Sequence, residues 1–243
     1  MKKVVIAVDS FKGCLSSSDI AKAVAEGIHH VIPGCEVIKV PIADGGEGTV
    51  EALTQATHGQ VITIPVHNPF MQPIQASYGI TGDGQTAVIE MSAASGLDLI
   101  PRKEGNVMHT TTYGTGELIA DAIDRGCRNF IIGVGGSATN DAGVGMMQAL
   151  GVRFTDDNSN EVEKGGKVLS AICHIDTRSQ LPELSACTFH IATDVTNPFF
   201  GPQGAAHIFG PQKGGNEMQV EALDKGMKHL ADLILETTGR DIS

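Results

Sequence analysis

IIGVGGSATNDAG, Ile131 to Gly143, passes from an apolar, β-favouring run through three glycines into small and polar residues suited to opening a helix. Glycines after a strand let main-chain N–H groups face a ligand, and a following helix adds unpaired donors and the positive end of its dipole. Such a strand–turn–helix reads as an anion site of an α/β fold. The Walker A template fails here, because no Gly-Lys-Ser/Thr follows the first glycine at the required distance. The dinucleotide template fits on spacing: Gly133, Gly135 and Ala138 satisfy G-x-G-x-x-A, and Asp156 ends the strand-like run GVRFTD roughly 20 residues on. That leaves an NAD(P)-dependent oxidoreductase as an alternative. Against it, Ser137, Thr139, Asn140 and Asp141 make a polar constellation, and Asp141 would repel a pyrophosphate. A purely structural reading also stands, with Asn140 or Thr139 as a helix N-cap.

The rest of the chain supports an α/β class. KKVVIAV reads as a strand, DIAKAVAEGIHHVI as a helix stopped by Pro33-Gly34, EVIKVPIA as a strand and TVEALTQATHG as a second helix. Residues 1–60 thus form a β-α-β-α unit with parallel strands. From Gln60, short strand-like runs are divided by Asn-Pro, Gln-Pro and Gly-Asp-Gly turns, which predicts hairpins in a different sheet. Helices return at GTGELIADAIDRG and NDAGVGMMQALG, strands at NFIIGV, GVRFTD and CTFHIATDV. The glycine- and proline-rich loop NPFFGPQGAAHIFGPQKGG then leads to the amphipathic helix EMQVEALDKGMKHLADLILETTG. Residues 61–240 are accordingly expected to form a second, mixed α/β domain.

Composition excludes several classes. The 243 residues carry a formal charge of -11, no Trp, 2 Tyr and 8 Phe, which opposes binding to nucleic acid. The five cysteines are scattered and lack a C-x-x-C pair, a pattern suited to a reducing cytoplasm, and neither Cys173-His174 nor Cys187 with His190 has zinc spacing. No apolar run is long enough for a membrane span, and the N-terminus lacks a signal peptide's features. A cytoplasmic location without membrane association is expected. No Ser-His-Asp order or G-x-S-x-G elbow is present.

Four polar turns follow strand-like runs, the position where ligands gather in open α/β sheets. In VDSFKG, Asp9, Ser10 and Lys12 can meet a phosphate or a substrate carboxylate, or Lys12 is a solvated loop lysine. In ADGGEG, Asp44 and Glu47 flank Gly45 and Gly46 and can converge on magnesium or on hydroxyls, or Asp44 caps a helix. In VGGSATND, Gly135 and Gly136 open the backbone while Ser137, Asn140 and Asp141 present hydroxyl, amide and carboxylate. In TDVTNP, Asp194 and Asn197 suit metal or hydroxyl binding, or form an Asx turn before Pro198. TTTYGTGEL (Thr110–Leu118) and FGPQKG, with Lys213, are two further glycine-bearing turns. Anion-ready turns, lysines and acids are the parts required by phosphoryl transfer, where positioning and charge neutralisation do most of the work.

In order and spacing, DSFKGCLS, VPIADGGEGTVEAL, AVIEMSAASGL, TTTYGTGELI, IIGVGGSATNDAGVGMMQALGVRF, ATDVTNPFFGPQGAA and FGPQKG resemble the bacterial class I glycerate kinases, the glycerate 2-kinase family. The resemblance covers essentially the whole chain. It implies phosphorylation of D-glycerate by ATP with Mg2+, usually at the 2-hydroxyl. It also implies two α/β domains, with residues 1–60 the first part of a split Rossmann-like domain and 61–240 the insertion. On this reading Lys12, Asp141 and Asp194 are catalytic, Asp194 also binding the metal and Asp141 orienting the attacking hydroxyl or binding metal. Asp9, Ser10, Asp44, Gly45, Gly46, Glu47, Gly135, Gly136, Ser137, Asn140, Asn197 and Lys213 then bind substrate or phosphate. The chain departs from the pattern at Val8 and Cys14, where a proline and a small residue are common. It also ends before a glycine-rich segment and a T-G-E-G motif, so it reads as truncated, with either an inactive fragment or apolar faces that favour a homo-oligomer as consequences.

Overall fold

The structure, a computed structural model, describes residues 2–11, 14–42, 46–101 and 106–243. Strand β1 (Lys3–Val8) leads to helix α1 (Ser17–Val31), whose first turn is capped by the Ser16 side chain accepting from the Asp19 N–H. Ile20, Ala21 and Ala25 on one face of α1 are buried, and Ala21 and Ala25 pack with Ile6 of β1. Strand β2 (Glu36–Pro41) pairs with β1 in parallel, from Lys3 opposite Glu36 to Val8 opposite Pro41. These two strands form a sheet of their own.

Helix α2 (Thr49–Thr57) follows, then the long hairpin of β3 (Gln60–His67) and β4 (Pro73–Ile80), and β5 (Thr86–Glu90). One turn of helix, α3 (Ser92–Ser95), precedes α4 (Tyr113–Asp124) and β6 (Asn129–Gly133). The chain continues through α5 (Val144–Ala149), the short antiparallel pair β7 (Arg153–Thr155) and β8 (His174–Asp176), and β9 (Thr188–Ala192). It closes with α6 (Ala205–Phe209) and α7 (Glu217–Thr238), the latter opened by a reciprocal capping box of Asn216 and Gln219.

The main sheet has the order β3-β4-β5-β6-β9. β4 is antiparallel to both neighbours, whereas β5, β6 and β9 are parallel. It follows that β3, β5, β6 and β9 all run the same way and deliver their carboxyl ends to one edge of the sheet. Leu118, Ile119, Ala122 and Ile123 of α4 cover this sheet in one core with Tyr78, Ile89 and Phe130. A second core joins Val220, Leu223, Met227 and Leu230 of α7 to Phe154, Leu169 and Ile172.

One local expectation is corrected, and two short elements are added. The helix expected from Asn140 begins only at Val144, because Ala142 and Gly143 adopt positive φ, 53° and 75°, and cannot continue a right-handed helix backwards. The three-residue β8 and the five-residue α6 were not foreseen, each being too short to show a period.

Candidate functional site

The turn after β6 occupies the centre of the strand-end edge. Gly135 and Gly136 are exposed, Gly136 with φ of 70°, and their N–H groups have no backbone acceptor among the described residues. The turn is fastened to the loop after β5: Met91 N–H donates to the Gly133 carbonyl, Leu97 N–H to Gly136 and Ala138 N–H to Ser95. A Cβ added to Gly135 would sit 3.5 Å from the Gly46 Cα, so the glycine turn before α2 meets the glycine turn after β6.

Behind the exposed glycines lies a buried polar layer. Thr110, Thr111, Thr112, Thr115 and Ser95 are buried. Thr110 donates to the Ala138 carbonyl at 2.9 Å, and the Ser95 and Thr115 hydroxyls are 2.7 Å apart. Asp141, 1% exposed, is the hub of this layer. Its Oδ2 accepts from Thr111 Oγ1 (3.1 Å), Thr112 N (2.8 Å), Thr112 Oγ1 (3.0 Å) and Gly145 N (3.2 Å), and its Oδ1 accepts from Gly143 N at 3.2 Å. Five donors among the described residues thus hold Asp141 inside the fold, joining the loop before α4 to the first turn of α5, and only one of them reaches Oδ1.

Lys213 reaches the same turn from the segment before α7. Its Nζ donates to Ser137 Oγ at 2.8 Å and to the Thr139 carbonyl at 2.6 Å. Burial lowers its pKa from the usual lysine range to about 8, against the opposing pull of the Asp141 charge. Asn140 is 8% exposed, and its side-chain nitrogen has no acceptor among the described residues.

The other expected residues fall as follows. Asp9 and Ser10 follow β1, where Ser10 N–H donates to Asp9 Oδ1 at 2.7 Å and Ser10 Oγ is buried without a partner among the described residues. Glu47 is exposed beside Gly46. Asp194 and Asn197 are exposed beyond β9, and Asn197 donates to the Gln203 carbonyl at 3.0 Å. Lys12, Asp44 and Gly45 lie outside the described residues. Gly46, Gly135 to Asp141 and Lys213 are thus brought together, and Asp194 leaves the strand adjacent to β6.

The dinucleotide alternative does not survive this geometry. Ala138 is fully buried, α5 starts six residues beyond it, and Asp156 follows β7, a strand of the separate β7–β8 pair. The Asp156 carboxylate accepts from Asn158 N and from both nitrogens of Asn160. Glu90 was not singled out from the sequence. It ends β5, its carboxylate accepts from Val50 N–H at 2.8 Å, and burial raises its pKa despite the backbone donors of α2. An acid closing an apolar strand was the signal available for it.

Among the described residues no helix is long and apolar enough to cross a membrane. Residues 4–243 match the glycerate kinase family. The chain is 47% identical over 240 residues to the glycerate 2-kinase of Escherichia coli (strain K12), covering 99% of this chain and 63% of that protein. It is 47% identical over 237 residues to the glycerate kinase of Bacillus subtilis (strain 168), with 98% and 62% covered. A crystal structure from Salmonella typhimurium LT2, described as a glycerate kinase 2, superposes with a TM-score of 0.91 at 44% identity, covering 99% of this chain and 64% of that one. The chain spans a little under two thirds of the length of these relatives.

Proposed function

Because the chain belongs to the glycerate kinase family, matched over residues 4–243, we propose that its protein transfers the γ-phosphoryl group of ATP to D-glycerate, giving 2-phosphoglycerate in preference to the 3-isomer. The observation that carries the reading is the Gly135–Gly136 turn. Its two exposed glycines at a strand carboxyl end, their N–H groups without a backbone acceptor among the described residues and with the Lys213 ammonium held at Ser137 of the same turn, suit an anionic oxygen. In phosphoryl transfer such donors act by positioning and by neutralising charge.

The same residues fit a nucleotide's phosphates better than a metal cluster. Among the described residues no three His, Cys, Asp or Glu side chains gather as a metal site. Magnesium is commonly held through one or two carboxylates together with substrate phosphates, and Asp194 offers one carboxylate at this edge. When bound, Mg2+ would supply charge neutralisation for the phosphates. Asp9, Ser10, Lys12, Asp44, Gly45 and Glu47 are proposed to hold the glycerate or a phosphate. A cytoplasmic location and self-association through exposed apolar residues such as Val5, Phe11 and Val31 belong to the same proposal. So does a domain division near residue 60, supported by the separate β1–β2 sheet.

The test is D-glycerate-dependent ADP release by the full chain in the presence of Mg2+, with the product isomer identified by phosphorus NMR. Rates no higher than the glycerate-free background would reject the activity. A 3-phosphoglycerate product would reject the regiochemistry alone.

A further inference from the structure

An ammonium group carries three donors and no acceptor. At Lys213, which is 8% exposed, two of the three donors have acceptors among the described residues, and both acceptors are neutral. Asp141 is the charged group that acts on it, yet the Asp141 carboxylate is engaged by the threonines and the start of α5 rather than by the lysine. Burying a cation with neutral partners alone is strongly unfavourable.

The contact with Ser137 has a directional consequence. Lys213 can only donate while charged, so Ser137 Oγ must accept, and the hydroxyl proton of Ser137 is turned elsewhere. No hydrogen bond donated by that hydroxyl is found among the described residues, where Ser137 is half-buried. Asn140 adds a buried amide nitrogen that is likewise without an acceptor. The Ser137 hydroxyl proton and the Asn140 amide protons thus form a surplus of donors in the turn that holds Gly135 and Gly136. A donor surplus calls for a ligand rich in acceptors, which is the chemistry of an oxyanion.

We propose that Lys213 is a positioning residue: it fixes Ser137 Oγ as an acceptor and so aims the Ser137 hydroxyl proton, together with the Asn140 amide, at a phosphate or carboxylate oxygen of the substrate. This rests on the kinase reading and deepens it, because the lysine acts through Ser137 and not as a direct ligand. Burial, which brings the lysine down to about 8, makes the arrangement sensitive to mildly alkaline pH. The neutral amine can accept from Ser137, which reverses the hydroxyl and removes a donor from the oxyanion.

The experiment is calorimetric titration of the full chain, between pH 6.5 and 9.5, with D-glycerate and separately with ATP and Mg2+, the two arms distinguishing a carboxylate from a phosphate. Affinity for one of the two ligands is expected to fall by up to about tenfold per pH unit above the lysine's titration. Ser137→Ala is expected to lose about ten- to a hundredfold at neutral pH, the worth of one charge-assisted donor, and to lose the pH dependence. Lys213→Met should behave alike, and the double variant should bind no more weakly than Lys213→Met alone. Retention of the wild-type pH dependence in Ser137→Ala, or additive losses in the double variant, would overturn the proposal. If Lys213→Met fails to fold, Ser137→Ala decides alone, since it removes only a hydroxyl. Binding of neither ligand by the wild type also overturns it. The kinase reading is judged apart, by turnover: pH-linked binding without D-glycerate-dependent ADP release would reject that reading and support this one.

Discussion

Glu90 Oε1 lies 2.8 Å from the backbone nitrogen of Val50, so a carboxylate at the end of β5 holds the first turn of α2. A carboxylate at a helix N-terminus is favoured by the unpaired N–H groups and the dipole. Here burial wins over that effect, and together with the nearby Glu47 charge it keeps the Glu90 pKa above its ordinary value.

The sign of the resulting pH dependence follows directly. A folded-state pKa above the unfolded one means that the native state holds the proton more tightly. The stabilisation is complete below the unfolded value and is lost as pH rises through the folded one. Glu90→Gln, which keeps an acceptor oxygen for Val50, should therefore be at least as stable as the wild type at pH 7 and lose that advantage in acid. Urea midpoints measured between pH 4 and 8 check this. A wild type that gains on the variant as pH rises would show that the helix donors outweigh burial.

Asp141 gives a second prediction. Asparagine can replace one oxygen of the hub, but its amide group then faces either the Gly143 N–H or the donors on the other side. Asp141→Asn is expected to cost about 1–3 kcal/mol, the usual penalty for a buried donor left unpaired. Denaturation midpoints should drop, while turnover per folded molecule stays within severalfold of wild type. A large loss of turnover with an unchanged midpoint would instead place Asp141 in the chemistry.

Gly145 is tied to the same hub. A Cβ at this position would collide with Thr111 Oγ1 and stand 2.9 Å from Asp141 Oδ2. Gly145→Ala should then destabilise by about 1–3 kcal/mol through overpacking, despite alanine's better helix propensity. Its effect should be less than additive with Asp141→Asn, because both break one set of contacts. Additive midpoints in the double variant would contradict the shared hub.

Much of this architecture was legible in the sequence because it is local. The strand–helix alternation of residues 1–60 shows in periodicity, and Pro33 and Gly34 mark where α1 stops. The turn at Gly135–Gly136 was legible for the same reason. The start of α5 was misread because Asn140 and Asp141 have the chemistry of caps. Asp141 does accept from Gly143 and Gly145, but across a backbone reversal that no composition reveals. What holds the turn was not legible at all. Lys213 and Ser137 are 76 positions apart, and Thr112 meets Asp141 from 29 positions away. Such pairings depend on strand order, which places the loops after β5 and β6 side by side.

Lys213 supplies a last prediction that needs no ligand. A lysine titrating at about 8 when folded and near its ordinary value of 10.5 when unfolded binds fewer protons in the native state between those limits. Stability therefore rises with pH across that window, where the unfolded chain holds the extra proton. Below it both states are charged, and the burial cost is present in full. The shift corresponds to a gain on the order of 3 kcal/mol over the whole window. Lys213→Met carries no such proton, so the difference between wild type and variant isolates this lysine from other alkaline titrations. The wild type should gain on Lys213→Met as pH rises from about 8 to about 10.5, read from urea midpoints. A difference that stays flat over this range would mean that Lys213 keeps an ordinary pKa, and with it the pH sensitivity expected of the Ser137 contact would fall.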